Sequence, residues 1–527
     1  MHISTNRRGF LKGLAGLSAL GMGGCFSIGK SGSGKIRLAA VGIWGKGYSD
    51  WTPMLKSGLV EMVAFCDADF ATRDVVQKQL IRDGIDLDMY SVPFYTDYRK
   101  LLDNAGALGI DAMTISTPDH VHAPVAIQAM KQGIHVYVQK PLVRTLWELD
   151  YFEKTAKEEG VITQMGNQGS SLDSMRRCME VIQSGILGDV KEVHVWTNRP
   201  VWPQGKVLSD YIHSRGNGGD KVPDGLNWDA YLATQKDRPY LGAFPEKLGP
   251  FHNDWKIAPN VYHCFNWRGS VDFGCGAFGD MACHTMNLAF RGLELGGVSG
   301  AELLQIEGAS DLIFPVNSIV KMIYKKRLSR VQKNADGSAK ELPEVTLYWY
   351  DGDLKPKAES MPKWASTHGG KVPDTGCYII GTKGSVLMQD DYGAKCAVAL
   401  NDDKEFVDIF KHEASKAVPR TVPFCEGSVT VAGGSTVAMK GFAEGHYIEF
   451  LKAIRGEGPV FEQTHSRCFA DIEYSIPQME GILVGCIAQR LGRPGEKIAW
   501  DSAAQSFVGN DAANALVKPY IREGWAF

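Results

Sequence analysis

Residues 136–142 read Val-Tyr-Val-Gln-Lys-Pro-Leu, an apolar run that ends in a lysine followed by a proline. Its β-branched and aromatic residues predict a short buried strand. The strand ends at Lys140, whose backbone the following proline restricts. Ligands of open α/β sheets bind beyond the carboxyl ends of the strands. We therefore expect Lys140 to hold its ammonium group at the edge of a sheet, in a ligand site.

Buried strands and helices alternate on both sides of this stretch. Further strands are predicted at 35–42, 63–67, 112–118 and 161–165, and a helix is predicted at 146–159. Alternation at this spacing predicts a parallel sheet with right-handed crossovers. Later runs of β-branched and aromatic residues between Gly/Asp turns predict a second, mostly antiparallel sheet. The predicted regions are a leader and linker (1–34), a Rossmann domain (35–168) and an α+β domain (169–527) whose C-terminal helices pack back on the first domain.

A glycine-rich turn and an acid indicate a dinucleotide site in the first domain. Gly42 and Gly47 match the first and third glycines of the G-x-G-x-x-G fingerprint. Trp44 stands at the second position, with Gly45 next to it, so the turn alone is equally typical of other α/β proteins. Asp67 ends the next strand, where a carboxylate binds the adenosine ribose hydroxyls and favours NAD over NADP. The alternative for Asp67 is a helix cap or turn residue.

The next motifs are Ser-Thr-Pro at 116–118, His122, and Val-Gln-Lys-Pro-Leu at 138–142. In this order they resemble the Gfo/Idh/MocA oxidoreductase family, and the resemblance covers the chain after residue 34. The family usually reads Glu-Lys-Pro, so Gln139 is a departure that removes one charge beside the lysine. The resemblance implies a Rossmann domain, an α+β domain on a large open sheet, bound NAD and a homo-oligomer. The predicted cofactor contacts are Gly42, Trp44, Gly45, Gly47, Asp67, Thr117, Pro118, His122, Gln139, Lys140 and Asn167.

Polar and aromatic side chains of the second half suit a sugar. Residues 165–169, Met-Gly-Asn-Gln-Gly, resemble an exported bacterial subgroup of the family, and amides offer donors and acceptors to hydroxyl groups. The alternatives are a turn held by its own amides and tryptophans that pack in a core. The predicted substrate contacts are Gln168, Asn198, Arg199, Trp202, Trp267, Arg268, Asp280 and His284.

Asp280 and His284 are the predicted proton-handling pair. Their i, i+4 spacing places both side chains on one face of a helix. A carboxylate near an imidazole suits proton transfer near neutral pH. The family often has a further Asp where this chain has Asn287. The alternatives are a structural histidine and a metal site completed by His263, which lacks the spacing of a known ligand set, and we expect no metal.

The composition excludes several classes of protein. The chain has 527 residues and a formal net charge of −3, which argues against nucleic-acid or acidic-membrane partners. Its 11 cysteines contain no Cys-x-x-Cys pair, so no zinc site or disulfide framework is indicated. No apolar run approaches the roughly 20 residues that a membrane helix needs.

Residues 1–34 predict a targeting signal and linker rather than part of the folded domains. Arg7 and Arg8 precede a weakly apolar stretch to Gly24, which resembles a twin-arginine export signal. Residues 22–25, Met-Gly-Gly-Cys, resemble a lipoprotein processing site with Cys25 acylated. The alternative is an amphipathic tail. We expect a periplasmic or cell-envelope protein with a possible lipid anchor, and an exported nicotinamide enzyme must hold its cofactor tightly.

These observations predict an exported NAD-dependent oxidoreductase that acts on a sugar or glycoside. His284 would take the hydroxyl proton, and Lys140 would stabilise the alkoxide while hydride leaves the same carbon. The resemblance implies carbon 3 of the ring. One alternative is an NAD-dependent glycosidase that uses transient oxidation and elimination. The other is a non-catalytic sugar-binding protein, which the departures at Trp44, Gln139 and Asn287 would favour.

Overall fold

The computed structural model describes residues 34–242, 261–262, 265–361, 363–364, 371–425, 444–462 and 465–527. The strands in this part of the chain are β1 (Ile36–Val41), β2 (Val60–Cys66), β3 (Phe94–Tyr95), β4 (Ala112–Ile115), β5 (His135–Gln139), β6 (Thr163–Gly166), β7 (Val190–Trp196), β8 (Val298–Glu307), β9 (Asn317–Tyr324), β10 (Arg327–Lys333), β11 (Ala339–Leu342), β12 (Val345–Asp351), β13 (Gly376–Gly381), β14 (Gly384–Met388), β15 (Cys396–Leu400), β16 (Val407–Asp408), β17 (Lys497–Asp501) and β18 (Ser506–Phe507). The α-helices there are α1 (Lys46–Lys56), α2 (Thr72–Arg82), α3 (Tyr98–Asp103), α4 (Ala105–Leu108), α5 (Asp119–Met130), α6 (Leu146–Glu159), α7 (Asp173–Gln183), α8 (Lys206–Arg215), α9 (Trp228–Leu232), α10 (Gly276–Thr285), α11 (Asn287–Gly292), α12 (Glu413–Ala417), α13 (Glu444–Ile454), α14 (Ile472–Leu491) and α15 (Asp511–Asn514).

The first sheet is parallel and has six strands in the order β3-β2-β1-β4-β5-β6. This confirms the predicted Rossmann arrangement. Four residues that directly follow strands of this sheet, Gly42, Asp67, Ser116 and Lys140, therefore lie at its carboxyl edge. The bond between Lys140 and Pro141 is cis.

The turn between β1 and α1 admits only glycine at its two ends. Gly42 has a φ of 75°, and a Cβ there would lie 2.5 Å from the Ser116 carbonyl oxygen. A Cβ on Gly47 would lie 1.8 Å from the carbonyl oxygen of Gly42. The turn consequently packs tightly on the end of β4, with its backbone at the edge of the sheet.

The second sheet has ten strands in the order β16-β15-β14-β13-β7-β12-β9-β8-β17-β18. Only the β7–β12 pair in it is parallel, so the predicted mostly antiparallel α+β domain is confirmed. Helices α7, α10, α11 and α14 contact its strands. The alternating sequence of residues 192–196 predicts a half-buried strand, but Val193 to Trp196 of β7 are all buried. His194 and Trp196 pack among aromatic residues of the neighbouring strands.

Helix α13 returns to the first domain. Phe450 and Leu451 share a buried core with Ile36 and Leu38 of β1, which brings Tyr447 beside the ends of β4 and β5. The sequence of residues 401–440 has little periodic pattern and predicts an insertion or long loop, but the region contains β16 and α12, and its residues 426–440 lie outside the described part. Among the described residues, we find no helix with the length and apolarity that crossing a bilayer requires.

Candidate active site

A cavity of about 830 Å³ extends along the carboxyl edge of the first sheet and continues onto α10 and the loops of the second domain. Fifteen of the residues predicted to contact a ligand line it: Gly42, Trp44, Gly45, Asp67, Thr117, Pro118, Gln139, Lys140, Gln168, Arg199, Trp202, Trp267, Arg268, Asp280 and His284. Gly47, His122, Asn167 and Asn198 were also predicted, but they are not among its lining residues. We call the Gly42–Lys46, Asp67, Ser116–Pro118 and Gln139 side the cofactor wall. The substrate wall consists of Arg199, Trp202, Phe265, Trp267, Arg268 and Tyr392.

Lys140 and Asp280 join the two domains across this cavity. Lys140 Nζ donates to Asp280 Oδ1 at 2.7 Å and to the Asp280 carbonyl at 2.9 Å. Arg268 Nε donates to the same carboxylate oxygen at 3.1 Å. Burial alone would raise the pKa of Asp280, but the positive charges of Lys140 and Arg268 outweigh it and hold this pKa well below its ordinary value. Asp280 is therefore a carboxylate that fixes the direction of the Lys140 ammonium group.

His284 lies one turn after Asp280, as the spacing predicts, but its hydrogen-bond partner is Asn167. The Asn167 amide nitrogen donates to the Cys283 carbonyl at 2.7 Å, which turns its oxygen toward His284 Nδ1 at 3.3 Å. Nδ1 therefore carries the hydrogen, and Nε2 is the basic nitrogen. Burial and then the charge of Lys140 lower the pKa of His284 well below its ordinary value, so its ring is neutral near pH 7.

Three of the predicted contacts outside the cavity lining have positioning or backbone roles. The His122 ring nitrogens lie 2.8 Å from the Pro141 carbonyl and 2.9 Å from the Thr117 carbonyl, and burial lowers the pKa of His122 to about 4. It thus braces the two segments that carry Thr117 and Lys140. Asn167 orients His284, and Gly47 supports the turn.

The cofactor wall fits a dinucleotide. Asp67 lines the cavity, and its carboxylate accepts from the Ile43 N–H at 3.1 Å, so the acid that ends β2 lies beside the glycine-rich turn. The turn itself leaves no room for side chains at Gly42. This combination matches the chemistry of the NAD fingerprint, in which backbone N–H groups face the pyrophosphate and an acid faces the ribose.

The substrate wall combines guanidinium groups with aromatic rings. The Arg268 guanidinium carbon lies 4.2 Å from the Phe265 ring centre and 4.3 Å from the Trp267 ring centre. Trp202 is 3% exposed and donates to Gln204 at 2.7 Å, so it is both a core residue and a cavity residue. Arg199 pairs with Asp391 at 3.2 Å.

Tyr392 belongs to the substrate wall, although it is not among the substrate contacts predicted from the sequence. Asp390 accepts four successive backbone N–H groups, from Tyr392 to Lys395, and this turn holds the Tyr392 ring 4.7 Å from the ring of His284. Burial raises the pKa of Tyr392 to about 12, so its hydroxyl group stays protonated. The Asp-Asp-Tyr-Gly stretch at 390–393 was the available signal, since Asp and Gly mark a turn.

His263, the third member of the metal site considered above, lies outside the described residues. Within the part of the chain that the structure describes, no group of three or more His, Cys, Asp and Glu side chains is placed to hold a metal ion.

Comparison with known proteins agrees with the geometry of the first domain. Residues 36–167 match the model of the GFO_IDH_MocA oxidoreductase family, which has an NAD-binding Rossmann fold. Over these residues the first domain resembles the NAD-binding domain of that family. The carboxyl edge of the matched sheet carries the cofactor wall described above.

The curated relatives share only part of their length with this chain. A glycosyl hydrolase family 109 protein 2 from Akkermansia muciniphila is 32% identical over 165 residues, which are 30% of this chain and 33% of that protein. A glycosyl hydrolase family 109 protein 1 from Shewanella sp. is 28% identical over 202 residues, or 36% of this chain and 42% of that protein. The chain therefore matches about a third to two fifths of the length of these two relatives.

A solved structure resembles nearly the whole fold. An inositol dehydrogenase homologue from Azotobacter vinelandii, complexed with NADH and myo-inositol, covers 88% of this chain and 98% of its own, with a TM-score of 0.53 and 14% identity. At this identity the likeness shows the two-domain fold.

Proposed function

We propose that this protein is an NAD-dependent oxidoreductase that acts on a ring carbinol of a sugar or glycoside. The observation that carries the proposal is one continuous cavity in which the NAD-binding edge meets Lys140, Asp280 and His284. When bound, NAD supplies an acceptor for hydride from the carbinol carbon. The residues below bind the substrate, move its proton and stabilise charge.

His284 is the proposed general base. A neutral imidazole with Nδ1 held by Asn167 presents Nε2 to the substrate hydroxyl and can take its proton. Lys140 is the proposed oxyanion stabiliser, because Asp280 keeps its ammonium group oriented beside the cavity. Asp280 itself is ion-paired and orients Lys140 rather than accepting the proton.

The substrate wall favours a sugar. Aromatic faces pack on the C–H faces of a pyranose, while Arg199 and Arg268 and the amide of Gln168 can hydrogen-bond its hydroxyl groups. The complex of the structural neighbour with myo-inositol, a ring polyol, supports the same class. We propose that the hydroxyl group on carbon 3 of the sugar ring is the one oxidised.

A second outcome of the same redox step is favoured by the sequence relatives. Transient oxidation acidifies the neighbouring C–H and allows an aglycone to be eliminated, after which water adds and the ring is reduced again. The two family 109 glycosyl hydrolases support this route. Net bond cleavage without net change in the nicotinamide separates it from simple oxidation, whereas a non-catalytic binding protein would give neither.

Export and cofactor retention belong to the same proposal. The loop after β2 contacts the second domain, where the Phe70 N–H donates to the Gly225 carbonyl at 3.0 Å. This contact would close the cavity at the end that holds the adenosine of NAD, and it would thereby help to retain the cofactor. Residues 1–33, including Arg7, Arg8 and Cys25, lie outside the described part. Twin-arginine export to the periplasm, a lipid anchor at Cys25 and a homo-oligomer are proposed from the sequence and the family resemblance.

Native mass analysis of the purified protein, followed by a panel of glycosides, tests the proposal. We expect about one NAD per chain and either accumulation of reduced nicotinamide or release of an aglycone. The proposal is contradicted if the protein holds NAD but no sugar or glycoside changes the nicotinamide spectrum or loses its aglycone. For location, an Arg7→Lys/Arg8→Lys variant should remain in the cytoplasm, whereas unchanged export would contradict the twin-arginine route.

A further inference from the structure

Behind the cofactor wall lies a buried carboxylate that the proposed mechanism does not use. Asp50 on α1 is 0% exposed. Tyr447 donates to its Oδ1 at 2.7 Å, and Ser116 donates to its Oδ2 at 2.7 Å. Gln139 Nε2 donates to both oxygens, at 2.9 and 3.1 Å, and Lys46 forms an ion pair with Oδ1. One acid therefore binds side chains from four separate parts of the chain.

All four partners of Asp50 line the cavity, whereas Asp50 does not. Asp50 consequently cannot bind a ligand directly, but it determines where four ligand-facing groups point. Lys46 Nζ also lies 3.0 Å from the Tyr447 hydroxyl oxygen, which closes the network on the side of the glycine-rich turn. Tyr447 comes from α13, so the C-terminal region completes the cofactor wall.

The same network explains the glutamine that stands where the family motif has glutamate. Gln139 Oε1 accepts from the Lys140 N–H at 3.3 Å, and its amide nitrogen faces Asp50. A Cβ on Gly166 would lie 2.5 Å from that nitrogen, so the glycine of β6 leaves the space that the Gln139 amide occupies. A glutamate in this pose would place two carboxylates about 3 Å apart in a buried site, which is strongly unfavourable.

We propose that Asp50 is a positioning residue for the cofactor, and that it carries the single negative charge that the Glu-Lys-Pro motif would place at residue 139. In this chain the acid lies on α1 rather than at the end of β5, and the Gln139 amide donates to both of its oxygens. Asp50 holds Lys46, Ser116, Gln139 and Tyr447 in the arrangement that binds NAD next to Lys140. This inference rests on the proposed function and deepens it.

Moving the carboxylate from residue 50 to residue 139 tests the proposal. The variants are Asp50→Asn, Gln139→Glu and the double variant, and the readout is the dissociation constant for NAD on cofactor-stripped protein, with the melting temperature recorded in parallel. We expect each single variant to bind NAD at least tenfold more weakly, since one has no acid and the other has two. The double variant again has one acid and one amide, so its affinity should return to within about threefold of the parent value.

Additive losses in the double variant would overturn the proposal, as would an Asp50→Asn protein that binds NAD normally. Tyr447→Phe and Ser116→Ala cover the case in which a charge variant fails to fold, because each removes one hydroxyl that donates to Asp50. Both should weaken NAD binding by about two- to fivefold, and unchanged affinity in both would also contradict it. These readouts need no sugar, so a protein that binds NAD but oxidises no glycoside would refute the proposed function and leave this inference standing.

Discussion

The cofactor wall consists of residues at or just after the ends of strands of the first sheet and is completed by Tyr447, whereas the substrate wall is gathered from segments as far apart as Arg199 and Tyr392. Asp50 organises the first wall from behind, and the Lys140–Asp280–Arg268 cluster organises the boundary with the second. We therefore expect NAD binding and turnover to depend on two separate buried carboxylates, Asp50 and Asp280. Substitutions in the cofactor wall should therefore change NAD affinity more than kcat, and substitutions at the boundary with the substrate wall should do the opposite.

The largest difference between effects on kcat and effects on NAD affinity is expected for the two lysines of the cavity, Lys140 and Lys46. Lys140→Met removes the charge that faces the developing alkoxide, so kcat should fall by roughly a thousandfold while NAD affinity stays within a few-fold. Lys46→Met is the matched control, because Lys46 pairs with Asp50 on the cofactor wall. It should weaken NAD binding and change kcat at saturating NAD much less. Steady-state kinetics and NAD titration of both variants check this, and equal effects on both properties would break the comparison.

A smaller loss is expected for the base. His284→Ala should lower kcat by roughly a hundredfold or more, since the hydroxyl proton then has no positioned acceptor, and bound NAD should be retained. Because the pKa of His284 is lowered, the parent kcat should not fall as the pH decreases from 7.5 to 6.5. A pH profile checks this, with the exposed His213→Ala variant as control. A steep loss of kcat centred near pH 6.5 would contradict a neutral, buried His284.

Tyr392 sharpens the description of the substrate wall. Tyr392→Phe keeps the ring against His284 but removes the hydroxyl group, so KM for the sugar should rise about three- to tenfold. NAD affinity should not change. The exposed Tyr90→Phe variant serves as control. If Tyr392→Phe alters the dissociation constant for NAD but not KM, Tyr392 belongs to the other wall.

The smallest effect concerns stability and pH. Burial lowers the pKa of His122 to about 4, against 6.5 in the unfolded chain. Below pH 6.5 the unfolded state then binds more protons than the folded state, so stability decreases as the pH falls from about 6.5 toward 4. At pH 5.5 this amounts to roughly 1 kcal/mol for this residue. Denaturant titrations at pH 7 and 5.5 should show a smaller pH-dependent loss in His122→Asn than in the parent, and an equal loss would contradict it.

The fold of the first domain could be predicted from the sequence, and most of the residues predicted there to contact a ligand line the cavity. Parallel strands leave their following residues at one edge, so Gly42, Asp67 and Lys140 could be placed together from local patterns alone. Helix α6 was predicted with its observed bounds, since Thr145 and Gly160 form its caps. The Asp280–His284 spacing likewise located one helix face.

The remaining contacts depend on distant parts of the chain. Tyr447 reaches the cofactor wall only because α13 packs back on β1, and no local pattern links it to Asp50. Similarly, the i, i+4 spacing could not show that Asp280 is held by Lys140 and Arg268 while Asn167 binds His284. The amide at Gln139 is likewise explained only by Asp50, which is distant in the sequence and accepts its hydrogen bonds.

We propose that the cofactor wall and the substrate wall meet in one reactive site at Lys140. A single-turnover mixing experiment with NAD-loaded protein and an active glycoside, read at the absorbance of reduced nicotinamide, tests this. We expect a rapid rise of absorbance in the parent protein, sustained or transient, and a roughly thousandfold slower rise in Lys140→Met that still holds its NAD. An equally fast rise in the loaded Lys140→Met protein would contradict it.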